Sequence, residues 1–284
     1  MDLILESGRS EKHYWRDLWH YRELFFILAW RDVAVRYKQT VIGVLWAVIR
    51  PFVTVVVFTV VFGHFGKTEA PPGLPYSLIV MAAILPWQFF STALNESSNS
   101  LINNSNLISK IYFPRMIVPA GSVITGLVDF IITLGLMGCM MIWHGFVPDL
   151  RLLALPFFTL LAFGAAFGIG LWLCALNVEY RDFRTIVPFI VQFGLYVSPV
   201  GFTSSLVPAK WHLLYSLNPM VGVIDGFRWA LLRGYTDQHL VQGQVVGDPL
   251  SLSSIAMSMG VTLVLCVSGV WYFRKMERTF ADII

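Results

Sequence analysis

The stretch from Arg31 to Phe52 reads RDVAVRYKQTVIGVLWAVIRPF. Its first part carries Arg31, Arg36 and Lys38, and from Val41 the chain turns apolar and stays so to Phe65, broken only by Arg50-Pro51. A hydrocarbon core of ~30 Å takes roughly 17–25 residues of helix, so the run from Val41 to Phe65 is long enough to cross it. If the span starts near Val41, Arg50 lies about 13 Å in, at 1.5 Å per residue. A charge at that depth is costly and faces a bundle interior or a water-filled cavity, usually with a partner. By depth Asp129 is the first candidate and Glu96 the next. Two readings stay open: an Arg50–Asp129 ion pair that only locks the bundle, or an Arg50 that lines a path for a large polar or anionic substrate. Pro51 weakens the helix ladder at the same level, which suits a hinge.

The rest of the chain agrees with this membrane reading. Of 284 residues, 56% are hydrophobic and 13% charged, against about 45–50% and about 25% in soluble domains. Six spans follow: Val41 to Phe65, Tyr76 to Ile102, Met116 to Ile142, Leu152 to Leu176, Ile186 to Phe202 and Ser251 to Phe273. Only helices satisfy their own backbone polar groups in lipid, so the class is an all-α integral membrane protein, residues 41–284 forming the six-span domain behind a segment 1–40. Pro86, Pro156, Pro188 and Pro199 mark kinks or ends. Of the 20 Lys and Arg residues, 14 fall before the first span, in the second and fourth connections and in the tail; five fall on the other side. Basic residues stay inside, which puts both termini in the cytoplasm. The first 40 residues carry no compact apolar core with a small-residue cleavage site.

Residues 203–250 then lie outside, and Trp211 to Leu217 and Met220 to Leu232, divided by Asn218-Pro219, are too short to span; they read as a re-entrant hairpin. Tyr14, Trp15, Leu18, Trp19, Phe25, Phe26, Ala29 and Val33 recur at helical spacing with arginines between, as in an amphipathic helix lying in the membrane interface. A soluble helix packed on a partner is the alternative.

Aromatic residues make up 15% of the chain. Phe58, Phe62 and Phe65, and again Phe189, Phe193 and Tyr196, follow i, i+4, i+7 spacing, so each trio shares a helix face. Such stripes meet lipid or pack; in a channel, together with Trp46 and Trp87, they would stack on sugar rings. Gly164 and Gly168 allow close helix packing. The connection NNSNLISKIYFPR (Asn103 to Arg115) contains a short amphipathic turn, and its composition suits a helix along the membrane, about 104–114, that offers apolar residues to a cytoplasmic partner. Cys139, Cys174 and Cys266 read as small core residues without disulfide or metal spacing. No phosphate loop, no H-E-x-x-H and no G-x-S-x-G is present, and the six histidines lie outside span interiors.

Four stretches carry a resemblance: Arg31 to Phe52, NLISKIYFPRMIVP (Asn106 to Pro119), LNVEYRDFRTIVPFIVQFGLYVSPVGF (Leu176 to Phe202) and LNPMVGVIDGFRWALLRG (Leu217 to Gly234). In this order they resemble the membrane subunits of bacterial polysaccharide ABC exporters, the O-antigen permeases, with teichoic-acid and capsule permeases as relatives. The resemblance implies a homodimer in the inner membrane bound to two copies of a separate ABC subunit. That subunit holds ATP and Mg, so this chain has no cofactor and is not itself an enzyme. The substrate implied is a glycan on an undecaprenyl diphosphate lipid. It further implies that Asn106, Leu107, Ile108, Lys110, Ile111, Tyr112, Phe113, Pro114 and Arg115 couple to the ATPase, and that the short external helices form a periplasmic gate. By the same analogy Arg31, Arg36, Lys38 and Arg181 meet the diphosphate at the cytoplasmic entrance, and Trp46, Arg50, Phe58, Phe62, Trp87, Phe189, Phe193 and Tyr196 line the path. Positive-inside anchoring explains the four entrance residues equally well. A permease for a small drug is the nearest alternative. A secondary transporter would need related halves with coupling charges, and a polyprenyl transferase would need paired carboxylates and a metal site.

Overall fold

A computed structural model of the chain describes residues 10–38, 43–66, 74–180, 182–204, 207–232, 239–241, 244–246, 251–277 and 280. The described residues are mainly helical, with one short antiparallel pairing of His239–Val241 with Gln244–Val246. Two helices precede the first span: α1 (Ser10–His20) and α2 (Arg22–Lys38). Next come α3 (Gly43–Phe58), continuing as a π turn over Thr59–Phe65, then α4 (Tyr76–Asn103), the single turn α5 (Ser105–Ile108) and α6 (Ile117–Trp143). A 3-10 turn (Leu150–Ala154) leads into α7 (Leu155–Glu179), followed by α8 (Phe183–Val197), α9 (Ala209–Tyr215), α10 (Pro219–Leu231) and α11 (Leu252–Met276). Among the described residues, five stretches are long and apolar enough to cross a membrane: α3 with its π turn, α4, α6, α7 with the turn before it, and α11. The chain is a multi-pass membrane protein.

The central element is α4, which packs on α3, α6, α7, α8 and α10. Its sequence is small or apolar on every side, with Ala82, Ala83, Ala93, Ser97, Ser98 and Ser100 all buried, and a helix that can be approached from all sides belongs in the middle. Polar joints lie between the helices: the Asn177 amide of α7 donates to the Ser98 carbonyl at 3.0 Å and to Asn99 Oδ1 at 3.1 Å. The Gly-x-x-x-Gly expectation holds in detail. A Cβ on Gly168 would lie 2.7 Å from the Cys266 nitrogen of α11, and one on Gly269 would lie 2.4 Å from the Gly168 carbonyl. The two backbones touch only because both residues lack a side chain.

Three sequence expectations need correction. The fifth span does not run from Ile186 to Phe202, because Pro199 forces Ser198 into extended geometry, φ −81 and ψ 153. What remains, α8, has 15 residues, about 22 Å of helix, short of a ~30 Å core. Pro51, Pro86 and Pro188 sit inside helices without ending them. Phe58, Phe62 and Phe65 do not share a face: the π turn closes five residues apart instead of four, leaving Phe58 buried and Phe65 exposed. Cys139 is exposed on α6; only Cys174 is a fully buried core residue.

Candidate functional site

One group of charged residues joins α2 to α4 and α6. Arg36, near the end of α2, reaches Asp129 Oδ2 of α6 at 2.7 Å and Glu96 Oε1 of α4 at 3.3 Å, while the Tyr37 hydroxyl donates to Asp129 Oδ1. One turn and more earlier, Arg31 donates to Asp32 at 2.6 Å and to Asn104 Oδ1 at 2.6 Å. The Ala29 backbone lies against Gly121 of α6, so the second half of α2 runs alongside α6 from Gly121 to Asp129 instead of lying flat.

Asp129 therefore does not pair with Arg50. α4 has 28 residues and α6 has 27, about 40 Å each at 1.5 Å per residue, so both project past the hydrocarbon. A helix end therefore does not mark the membrane boundary. Glu96 and Asp129 are taken by Arg36 and Tyr37 near the end of α2, and Arg50 lies seven residues into α3, about 10 Å along that helix. Arg50 is exposed, on one stripe with Trp46, Val53 and Val57. Arg31 and Arg36 are held by the chain's own carboxylates and amide. The side chain of Lys38, and Arg181 altogether, lie outside the described residues.

The expected path residues divide into two groups. Phe58 and Trp87 are buried and Phe62 half-buried. Phe58 and Phe62 stack at 5.5 Å, and their rings close over Gly201, where a Cβ would meet Phe58 at 2.8 Å. The other group, Trp46, Phe189, Phe193 and Tyr196, stands exposed on α3 and α8.

At the opposite end α10 is wedged among α4, α7 and α11. Asn218 caps it, its Oδ1 accepting from Met220 N at 3.0 Å, and Pro219 takes the first helical position, where no N–H is needed. The divider expected between the two short helices is thus a helix start. Gly226 lies under the Phe158 ring and Gly222 against Ser258, with Cβ positions 2.1 Å and 2.5 Å from those side chains. Sequence reading counted Arg228 as an external charge, but it is 3% exposed. It donates to the carbonyls of Phe202 at 3.0 Å, Val200 at 3.1 Å and Ile79 at 3.5 Å, tying the segment after α8 to α4. Tyr76 adds a 2.6 Å bond from its hydroxyl to the Gly201 carbonyl. An arginine within a mainly apolar 13-residue helix, whose other charged residue is Asp225, was the available signal.

The connection between α4 and α6 is not the helix expected over 104–114. α5 is a single turn, and Ser109 to Met116 continue as turns, because Pro114 permits no ladder there. Its residues divide sharply. Asn106, Lys110, Ile111 and Tyr112 are exposed, with Ile111 and Tyr112 at 52% and 61%, Leu107 is half-buried, and Ile108, Phe113 and Pro114 are buried beneath them. Arg115 faces inward to Glu277 at the end of α11: its backbone N–H donates to Glu277 Oε1 and its guanidinium to the Glu277 carbonyl, each at 2.8 Å. Tyr14 of α1 is buried beside this carboxylate, with the Arg274 guanidinium 4.5 Å above its ring. Burial pushes the Glu277 carboxyl above its usual range despite Arg115 and Arg274, and pushes the Tyr14 hydroxyl up as well. Glu277 did not stand out in the sequence, and Tyr14 did so only as one of the regularly spaced apolar residues of the N-terminal segment.

The sequence model of the ABC-2 type transporter family matches residues 23–232, nearly all of the stretch from α2 to the end of α10. The O-antigen export system permease protein RfbA of Myxococcus xanthus is 26% identical over 271 residues, covering 95% of this chain and 98% of that protein. RfbA of Klebsiella pneumoniae is 25% identical over 263 residues, 92% and 95% of the two chains. The polysialic acid transport protein KpsM of Escherichia coli is 21% identical over 255 residues, 87% and 91%. With its multi-pass helical fold and a family match across most of its length, the chain belongs to the ABC-2 type transporters.

Proposed function

We propose that this chain is the membrane subunit of an exporter that carries a lipid-linked polysaccharide of the O-antigen type across the bacterial inner membrane. The observation that carries the reading is the near full-length similarity to permeases named for O-antigen export. The working unit is a homodimer with two copies of a separate ATP-binding subunit, and both termini are cytoplasmic. The exposed tip Lys110 to Tyr112 receives the movement of that subunit. α8 completes a sixth crossing together with the extended segment after it, and α9 and α10 close the periplasmic end.

An arginine facing hydrocarbon costs about 2.5–3.5 kcal/mol, so the exposed stripe Trp46, Arg50, Val53, Val57 fits a polar or protein-lined space better than lipid. In the dimer it lines the path with Phe189, Phe193 and Tyr196, whose rings stack against sugars while Arg50 meets the anionic lipid head. Phe58, Phe62 and Trp87 form the wall behind. Arg31 and Arg36 position α2; a diphosphate would have to displace Asp32, Glu96 or Asp129 to reach them.

Two experiments together test this. The tagged chain, extracted in detergent from its host, should bring down a phosphate-loop ATPase in equal amount. Deleting the gene should strand lipid-linked glycan in the inner leaflet. Absence of the ATPase from a preparation that keeps other membrane complexes whole would sink the proposal. The similarity to the polysialic acid transport proteins favours one other outcome, the same machine carrying a capsule glycan, which the identity of the stranded lipid decides.

A further inference from the structure

The Arg115–Glu277 contact joins residues 162 apart in the chain and closes two helix ends on each other. Glu277 follows the last turn of α11, where backbone carbonyls lack helical partners, and its own carbonyl accepts from the Arg115 guanidinium. Arg115 precedes the first turn of α6, where backbone N–H groups lack partners, and its N–H donates to the Glu277 carboxylate. Each charge also sits at the helix end whose dipole favours it, the carboxylate at the start of α6 and the guanidinium at the end of α11. Around the pair lie Tyr14 from α1, Arg274 from α11 and the buried Phe113, Met116, Phe273 and Phe280. Three residues before Arg115 stands the exposed Tyr112.

We infer that Glu277 is a positioning residue: it bolts Arg115, and through it the Lys110–Tyr112 tip, to the end of α11, so that force on the tip enters α6 and α11 together. This rests on the reading of the tip as the ATPase-docking element. The sequence offers no motif for it, because the two partners belong to different connections. The acceptor oxygen is what the arrangement needs, so glutamine should serve and alanine should not.

The test uses the full chain in complex with its ATP-binding subunit, reconstituted in lipid, and reads glycan exported per ATP hydrolysed. Glu277→Ala should keep the ATPase bound in normal amount while export per ATP falls about tenfold, the order expected for losing hydrogen bonds to a charged group. Glu277→Gln should stay within about twofold of the parent. A spin label at Tyr112→Cys should gain mobility in the Ala background only. Unchanged coupling in Glu277→Ala, or a Gln variant as defective as the Ala one, overturns the inference. Should Glu277→Ala fail to accumulate, Glu277→Asp, whose carboxylate is withdrawn by one methylene, carries the same expectations. Docking itself is read separately: in the otherwise unaltered chain, Tyr112→Cys should cross-link to the ATP-binding subunit. Failure there removes the docking reading, whereas cross-linking with normal coupling in Glu277→Ala removes only the role of Glu277.

Discussion

Of the most apolar 18 residues of α4, 78% are buried within the chain, whereas for the run from α3 into its π turn the figure is 17%, although α3 is the more apolar of the two. Hydropathy measures fitness for a dry environment and does not say whether lipid or protein supplies it. α4 is approached closely from several sides because it is rich in Ala and Ser; α3, built from Val, Leu, Phe and Trp, offers bulk and touches mainly α4 and α6. The contrast separates a fixed interior, where substitutions should show in stability, from an outward face, where they should show in transport.

The largest effect is expected at Asp129. Removing its carboxylate takes the 2.7 Å partner from Arg36 and the acceptor from Tyr37, while Glu96 still reaches Arg36 at 3.3 Å, so the cost falls at or below the lower end of the range for breaking a buried pair from one side, about 3–5 kcal/mol. Asp129→Ala should therefore lower the thermal midpoint in detergent sharply, and Arg36→Met combined with Asp129→Leu should recover most of the loss. A small effect of Asp129→Ala would mean that α2 is not fastened to the interior at this point, and the division drawn here between core and face would fail.

Glycines give a second, smaller contrast within one residue type. Gly168→Ala forces a Cβ into the α11 backbone and should cost about 1–3 kcal/mol. Gly138 of α6 has nothing within 4 Å of its Cβ position, so Gly138→Ala should be neutral or stabilise by up to about 1 kcal/mol. Equal losses at both, measured by the same thermal unfolding, would mean that the open side of α6 is packed in the native assembly.

How much of this was legible beforehand follows from the range of the interactions. α4, α6 and α11 begin and end within a few residues of the expected bounds, because length and apolarity are local properties. The end of α8 was misjudged although Ser198-Pro199 lay in plain view; a run of apolar residues beyond it outweighed the backbone rule. The partner of Arg50 was misjudged for a different reason. Depth was measured from helix starts, and at about 40 Å each α4 and α6 are longer than a ~30 Å core, so a helix start does not mark the membrane surface. The Glu277 and Arg228 contacts were invisible, since each joins elements that sequence alone cannot bring together.

Acidity should sharpen the comparison at the Glu277 end of the bundle with a smaller effect still. Burial raises the Glu277 carboxyl above the ordinary range of a glutamate. A carboxyl raised in the folded state favours folding most when protonated, so its contribution is fully present below the unfolded value and is lost as pH climbs through the folded one. In detergent the parent chain should thus gain stability as pH falls through that window, and Glu277→Gln, which cannot titrate, should show a flatter profile. A parallel profile for the two would mean that Glu277 is solvated like an ordinary surface carboxylate.

The smallest effect on stability is expected at Arg50, and there the contrast between interior and face becomes a statement about function. Its guanidinium makes no ion pair among the described residues, and only its backbone carbonyl is used, by the Thr54 hydroxyl at 2.8 Å. Arg50→Ala should change the unfolding midpoint by an amount equivalent to no more than about 0.5 kcal/mol. If the stripe from Trp46 to Val57 faced only lipid, removing a charge from it should stabilise the membrane-embedded chain, given the cost of arginine in hydrocarbon, and leave export intact. If it lines the path, export should fall while stability holds, and Arg50→Lys should keep most of the activity because the positive charge remains. Asp129→Asn should not rescue the Ala variant, since the two residues do not meet. A gain in stability with full export would assign the α3 face to lipid and move the glycan path elsewhere on the bundle.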